Sequence, residues 1–196
     1  MNKSSFSTRK LAMISILTVI TVILQLLASF AKPGGVFSIS LVLMPIVLGS
    51  ALYGAEIGAW LGLVFGFTVL LSGDAAPFLA VSPLGTILVV LLKGSLAGYV
   101  SGAVFRLLKD KNLYLAIIAA AFVCPVINTG VFVIGCYIFF WDTIKVWASG
   151  LHLNASIYLF TVMIGINFIF EVITNMVLCP TILRLLKFVD KEEYDK

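Results

Sequence analysis

Apolar residues fill this chain in long unbroken runs, and most of its polar residues fall between the runs rather than alternating with them. Runs of this kind carry neither the 3.6-residue nor the two-residue period of a half-buried element, and read as helices surrounded by hydrocarbon. Their breaks predict six helices, at residues 10–31, 39–53, 57–71, 84–108, 113–140 and 156–186. Pro33, Gly34 and Gly35 end the first, and Gly54-Ala55-Glu56 divides the second from the third. A loop holding Gly73, Asp74, Pro77 and Pro83 precedes the fourth, and Lys109-Asp110-Lys111-Asn112 closes it. Pro125 and Pro180 lie inside the fifth and sixth, where each removes one backbone donor and favours a bend.

Composition turns this pattern into a fold class. With 61% hydrophobic and 11% charged residues, and a mean hydropathy of +1.15, the chain has more apolar surface than one soluble core can bury. The expectation is an all-α integral membrane protein, a single membrane domain over 1–196 with no soluble module. The basic start MNKSSFSTRK before an apolar run invites a signal-peptide reading. The run at 11–31 is too long for one and ends in Lys-Pro-Gly-Gly without a small-x-small cleavage site, so it reads as a retained first helix.

The formal net charge of +4 raises the question of nucleic acid, but the charges sit at the predicted membrane boundaries, which argues for lipid and against nucleic acid. Lys3, Arg9, Lys10, Arg106, Lys109, Lys111, Arg184, Lys187, Lys191 and Lys196 fall on one side, against Lys32 and Lys145 on the other. The positive-inside rule then predicts six spans with both termini cytoplasmic. The outer loops are 32–38, 72–83 and 142–155, with Trp141 and Trp147 at the level of an outer aromatic belt.

Several function classes drop out. Cys124, Cys136 and Cys179 lie in apolar runs without metal-ligand spacing, and His152 is the single histidine. No Walker, HExxH or GxSxG motif is present, so neither catalysis, a metal nor a cofactor is expected. Uphill transport would need an ion gradient or partner subunits. The two halves show no convincing inverted repeat, which weighs against a secondary carrier.

Two features remain. Gly58, Gly62 and Gly66 recur every fourth residue on the third helix, and Gly94, Gly98 and Gly102 on the fourth, as close helix packing in lipid requires. Lys93 lies about 13 Å and Glu171 about 22 Å from the outer ends of their helices. Asn128, Asn167 and Asn175 add buried amides. A charge in hydrocarbon costs at least about 2.5–3.5 kcal/mol, so it needs a partner, water or a function. One reading is a Lys93–Glu171 ion pair joining two helices, set against a depth difference of about 9 Å. The other is a polar pocket open to the outer face, in which Lys93 meets an anionic group and Asn128, Asn167 and Glu171 form a polar wall.

The basic start Thr8-Arg9-Lys10-Leu11-Ala12, the stretch 38–49 (SISLVLMPIVLG) and the small-residue hairpin 53–62 (YGAEIGAWLG) resemble the substrate-binding S components of energy-coupling factor (ECF) vitamin transporters. The resemblance covers nearly the whole chain. It implies a vitamin held in an outward pocket and delivered when the protein docks on an ECF T subunit with two ATP-binding subunits. The regions that supply the site in that family hold Phe37, Lys93, Asn128, Thr129, Trp141, Tyr158, Asn167 and Glu171 here, Trp141 doubling as a belt residue. The family's Ala-xxx-Ala docking patch is replaced by Ala12, Ser15 and Thr18, since Ile16 stands where the second alanine would be. Lys93 favours a carboxylate-bearing vitamin, pantothenate ahead of folate, biotin, riboflavin or a pyridoxine-like compound. The competing classes are a six-helix scaffold of bacterial morphogenesis, and a self-contained carrier or small membrane enzyme.

Overall fold

A computed structural model describes residues 8–30 and 41–194, and among these the chain forms helices and no strand. They are α1 (Thr8–Phe30), α2 (Leu43–Tyr53), α3 (Ala55–Leu71), α4 (Ala76–Leu79), α5 (Pro83–Leu108), α6 (Leu113–Phe139), α7 (Trp141–Ser149), α8 (Ala155–Ile157) and α9 (Ile166–Tyr194). A π-helical stretch, Tyr158–Gly165, joins α8 to α9.

The breaks have local causes. Gly54, at φ 101°, separates α2 from α3 in a conformation that favours glycine. Ser82 caps α5 by accepting from Gly85 N–H, with Pro83 in its first turn, and Asn112 caps α6 by accepting from Leu115 N–H. Helix α6 continues through Pro125 and α9 through Pro180.

Four helical segments are long and apolar enough to cross a membrane: Thr8–Phe30, Pro83–Leu108, Leu113–Phe139 and Ala155–Lys187. At 11 and 17 residues, α2 and α3 reach about 17 and 26 Å, short of a hydrocarbon core of about 30 Å. Six spans of full length are therefore not what the described residues form. The outer loop expected at 142–155 is partly helical as well. Helix α7 occupies Trp141–Ser149, with Ile144 and Ala148 buried and Val146 exposed. It is amphipathic and short, a kind of helix that a search for long apolar runs passes over.

The most extensive interhelical contact joins α3 to α5. A Cβ on Gly58 would meet the Gly98 carbonyl, one on Gly62 the Gly94 carbonyl, and one on Gly66 the Val90 carbonyl. The pairing is reciprocal at Gly94 and Gly98, so the two antiparallel backbones touch over two helical turns with no side chain between them. Across the other face of α5, Ser101 Oγ donates to the Ala120 carbonyl of α6 at 3.0 Å. Helix α1 lays Ile14, Leu17, Thr21, Gln25 and Ala28 inward and leaves Leu11, Ile16, Val19, Ile23 and Leu27 exposed.

Gly62→Ala should destabilise the protein by about 1–3 kcal/mol, because a backbone carbonyl cannot move aside as a side-chain tip can. Gly130→Ala, with open space around its Cβ position, should stay within about 0.5 kcal/mol. Thermal unfolding of both variants in detergent checks the contrast.

Candidate functional site

Two hydrophobic clusters fill the bundle. The larger includes Leu43, Ile46, Leu61, Phe65, Ile117 and Ile182, and the smaller is built on Val89, Cys136, Phe140, Ile144, Leu159 and Ile164. Where they meet lies a cavity of about 250 Å³. Its walls come from the C-terminal parts of α1, α3 and α6, the N-terminal half of α5, the segment at α4, and the entry to α9.

Five residues singled out in the sequence share this cavity: Lys93, Asn128, Thr129, Asn167 and Glu171. Lys93 projects from α5 one residue before Gly94, so the glycine contact sets it beside α3. Its Nζ stands 5.5 Å from the ring centroids of both Phe65 and Phe132, a cation held between two aromatic faces. Lys93 and Glu171 are not in salt-bridge contact, so of the two readings left open the ion pair is not formed. Glu171 Oε2 instead lies 3.5 Å from Asn128 Nδ2, the outer limit of a hydrogen bond. Asn128 is 4% exposed and its Oδ1 has no partner.

The π-helical stretch explains how the third wall is aimed. A wider turn displaces the register of the residues after it, and Met163, Ile164, Asn167, Phe168 and Glu171, in or just beyond it, all face the cavity. One turn past Glu171, Asn175 is 1% exposed with both amide atoms unpartnered. It does not line the cavity.

Trp141 and Tyr158 do not join the site. Trp141 follows the break at Phe140 and stacks on Tyr137, centroids 4.4 Å apart, while Phe140 itself turns inward. Tyr158 lines a neighbouring depression with Pro77, Trp147 and Leu151. Phe37 lies outside the described residues. Of the expected docking patch, Ala12 and Ser15 are exposed on α1, whereas Thr18 is half-buried and its Oγ1 accepts from Trp60 Nε1 at 3.3 Å. Trp60 on α3, itself exposed, thus covers part of Thr18 at the surface of the bundle.

Sequence reasoning missed one corner of the cavity. Gln25 Nε2 donates to Asp74 Oδ2 at 2.8 Å and Ser29 Oγ to the same oxygen at 2.5 Å, fastening the end of α1 to the segment before α4. Gln25 and Asp74 both line the cavity. The signal was available in Gln25, an amide well inside an apolar run. Nothing in the sequence marked Phe78, which meets Phe132, Phe140 and Trp147 edge-on at 5.0–5.6 Å and covers the cavity on that side.

Long apolar helices enclosing a cavity with charged and amide side chains define a multi-pass membrane protein with an internal polar site. The family model described as "ECF transporter, substrate-specific component" matches residues 9–183, and the chain belongs to that family. Its members are transporter subunits rather than enzymes, and membership implies association with ECF T and ATPase subunits and with a small-molecule substrate. No curated protein and no solved structure is similar enough to match.

Gln25→Leu removes one neutral donor from a carboxylate and should cost about 1.5–3 kcal/mol of stability. Ser15→Ala removes an exposed hydroxyl that only donates back to Leu11 C=O, and should stay within about 0.5 kcal/mol. Melting temperatures of the two variants in the same detergent check this.

Proposed function

We propose that this S component binds a water-soluble vitamin, pantothenate first among them, in the cavity around Lys93. It then delivers the vitamin across the bacterial cytoplasmic membrane together with an ECF T subunit and two ATP-binding subunits. In this reading the chain is one membrane domain of six helices, α2 and α3 crossing as short spans, with both termini cytoplasmic. The positive-inside rule then places the cavity toward the outer face, since it lies at the end of the bundle opposite Arg106, Lys109 and Lys111.

The observation that carries the reading is Lys93, an ammonium on the wall of a cavity and not in salt-bridge contact with Glu171, which shares that wall. A buried cation with aromatic faces on two sides and open space on a third suits an anionic group, which would gain charge-assisted hydrogen bonds from it. The volume lies at the low end of ligand pockets, about 300–1,000 Å³, and favours a compact acid over one as large as folate. A morphogenesis scaffold would need no such cavity. A self-contained carrier would support uptake in liposomes without ATPases.

A thermal-shift and calorimetric screen of the detergent-purified protein against water-soluble vitamins tests the reading, and the expected result is one tight hit bearing a carboxylate. Lys93→Met should weaken that hit by about 1.5–3 kcal/mol, roughly ten- to a hundred-fold or slightly more. Unchanged affinity would remove Lys93 from the site. Exposed Ala12 and Ser15 are proposed to face the T subunit. Ala12→Leu with Ser15→Leu should therefore abolish co-purification with a T subunit and leave vitamin affinity intact.

A further inference from the structure

The cavity has two poles of opposite kind, and they are kept apart. At one stands the Lys93 ammonium on α5, held between Phe65 and Phe132. Two ring faces satisfy its charge in part but accept no conventional hydrogen bond, so its N–H donors still lack oxygen acceptors. At the other stand the Glu171 carboxylate on α9 and the Asn128 amide on α6. Asn128 turns its Nδ2 to Glu171, which leaves Oδ1 buried and without a partner. The flipped amide would set Oδ1 against the carboxylate oxygen, so the electrostatics favour this orientation. The second pole therefore presents two acceptors, Glu171 and Asn128 Oδ1, beside the remaining Nδ2 N–H.

A salt bridge serving structure alone would close, because two charges held apart in an apolar wall attract each other but forgo the direct hydrogen bonds that best offset their desolvation. Here the lysine and glutamate line one space without closing on each other. An occupant that reaches both completes the pair.

We propose that the solute taken by this cavity is compact and two-ended, with an anionic group for Lys93 and, at its other end, at least two N–H or O–H donors for Glu171 and Asn128 Oδ1. The proposal rests on the reading of the cavity as the substrate site and narrows the substrate class. A cationic solute without an acid is attracted by Glu171 and Asp74 but sets its charge against Lys93 and leaves that ammonium without an anion. An acid without donors leaves Glu171 and Asn128 Oδ1 unsatisfied. A neutral ring system leaves Lys93 without an anion.

Calorimetry of the full chain in detergent tests it with pantothenate, which pairs a carboxylate with two hydroxyls, and biotin, which pairs one with two ureido N–H groups. Thiamin, cationic and without an acid, and riboflavin, neutral, are the counter-probes. The expected result is binding of pantothenate or biotin, with thiamin and riboflavin weaker by about ten-fold or more. The matching acid stripped of its end donors, N-(3,3-dimethylbutanoyl)-β-alanine for pantothenate (which keeps only the mid-chain amide N–H) or N,N′-dimethylbiotin for biotin, should lose about ten-fold or more on the unaltered protein. Glu171→Gln should weaken the same ligand by a similar factor at an unchanged melting temperature. Tight binding of thiamin or riboflavin instead, or of the acid stripped of its end donors as well as its parent, overturns the two-ended class and leaves the vitamin-binding function standing, as does a hit from the wider vitamin screen that lacks either end. Absence of binding by these four and by every other vitamin of that screen overturns the function, and the narrower class with it.

Discussion

The direct contact of backbone on backbone between α3 and α5 is the constraint from which the rest of this structure follows. In lipid, side chains gain little by leaving one apolar neighbour for another, so helices hold together best where their main chains come close enough for dense packing. Gly58, Gly62 and Gly66 meet Gly98, Gly94 and Val90 in one antiparallel register. That register decides which residue follows the contact on α5. Lys93 stands beside Gly94, and Phe65 is close enough that a Cβ on Gly94 would meet its ring. The cation over the Phe65 face is thus a product of glycine spacing.

With that wall fixed, the polar groups opposite it become intelligible as one system. Asn128 reaches the cavity from α6, which packs on α5, and Glu171 from α9, which packs on α6 and α2 instead. The space left among α3, α5, α6 and α9 is the cavity, and phenyl rings line much of it. Under the proposed function this space holds the solute, a reading in keeping with membership in the family of ECF substrate-specific components. The polar fastening of Gln25 and Ser29 to Asp74 ties α1, the helix that exposes Ala12 and Ser15, to the rim of the same space.

Much of this was legible from sequence because lipid makes polarity conspicuous. Lys93, Asn128, Thr129, Asn167 and Glu171 were named from their depth in apolar runs and from the family resemblance, and all five line the cavity. The glycine stripes were legible for the same reason, since a period of four small residues in a membrane helix has few other uses. What stayed hidden depends on packing. Trp141 was displaced from the site by a break at Phe140 that no single residue announces, and α7 is too short to show as an apolar run. Thr18 is partly covered by Trp60, a contact between residues 42 positions apart. The π-helical turn that aims Asn167 and Glu171 leaves no mark in the hydrophobic pattern, which is continuous through it.

The glycine contact also bears on how the protein divides order from adaptability. An interface of glycine against glycine has no rotamers to freeze and none to rearrange. Under the proposed function, the backbone behind Lys93 then has no side-chain rotamers to order when a solute arrives, which is what preorganisation means in thermodynamic terms. Beside it the chamber is bounded by ring edges, where Phe78 meets Phe132, Phe140 and Trp147. Under the proposed function the chamber would read charge against an unyielding backbone and shape against aromatic edges.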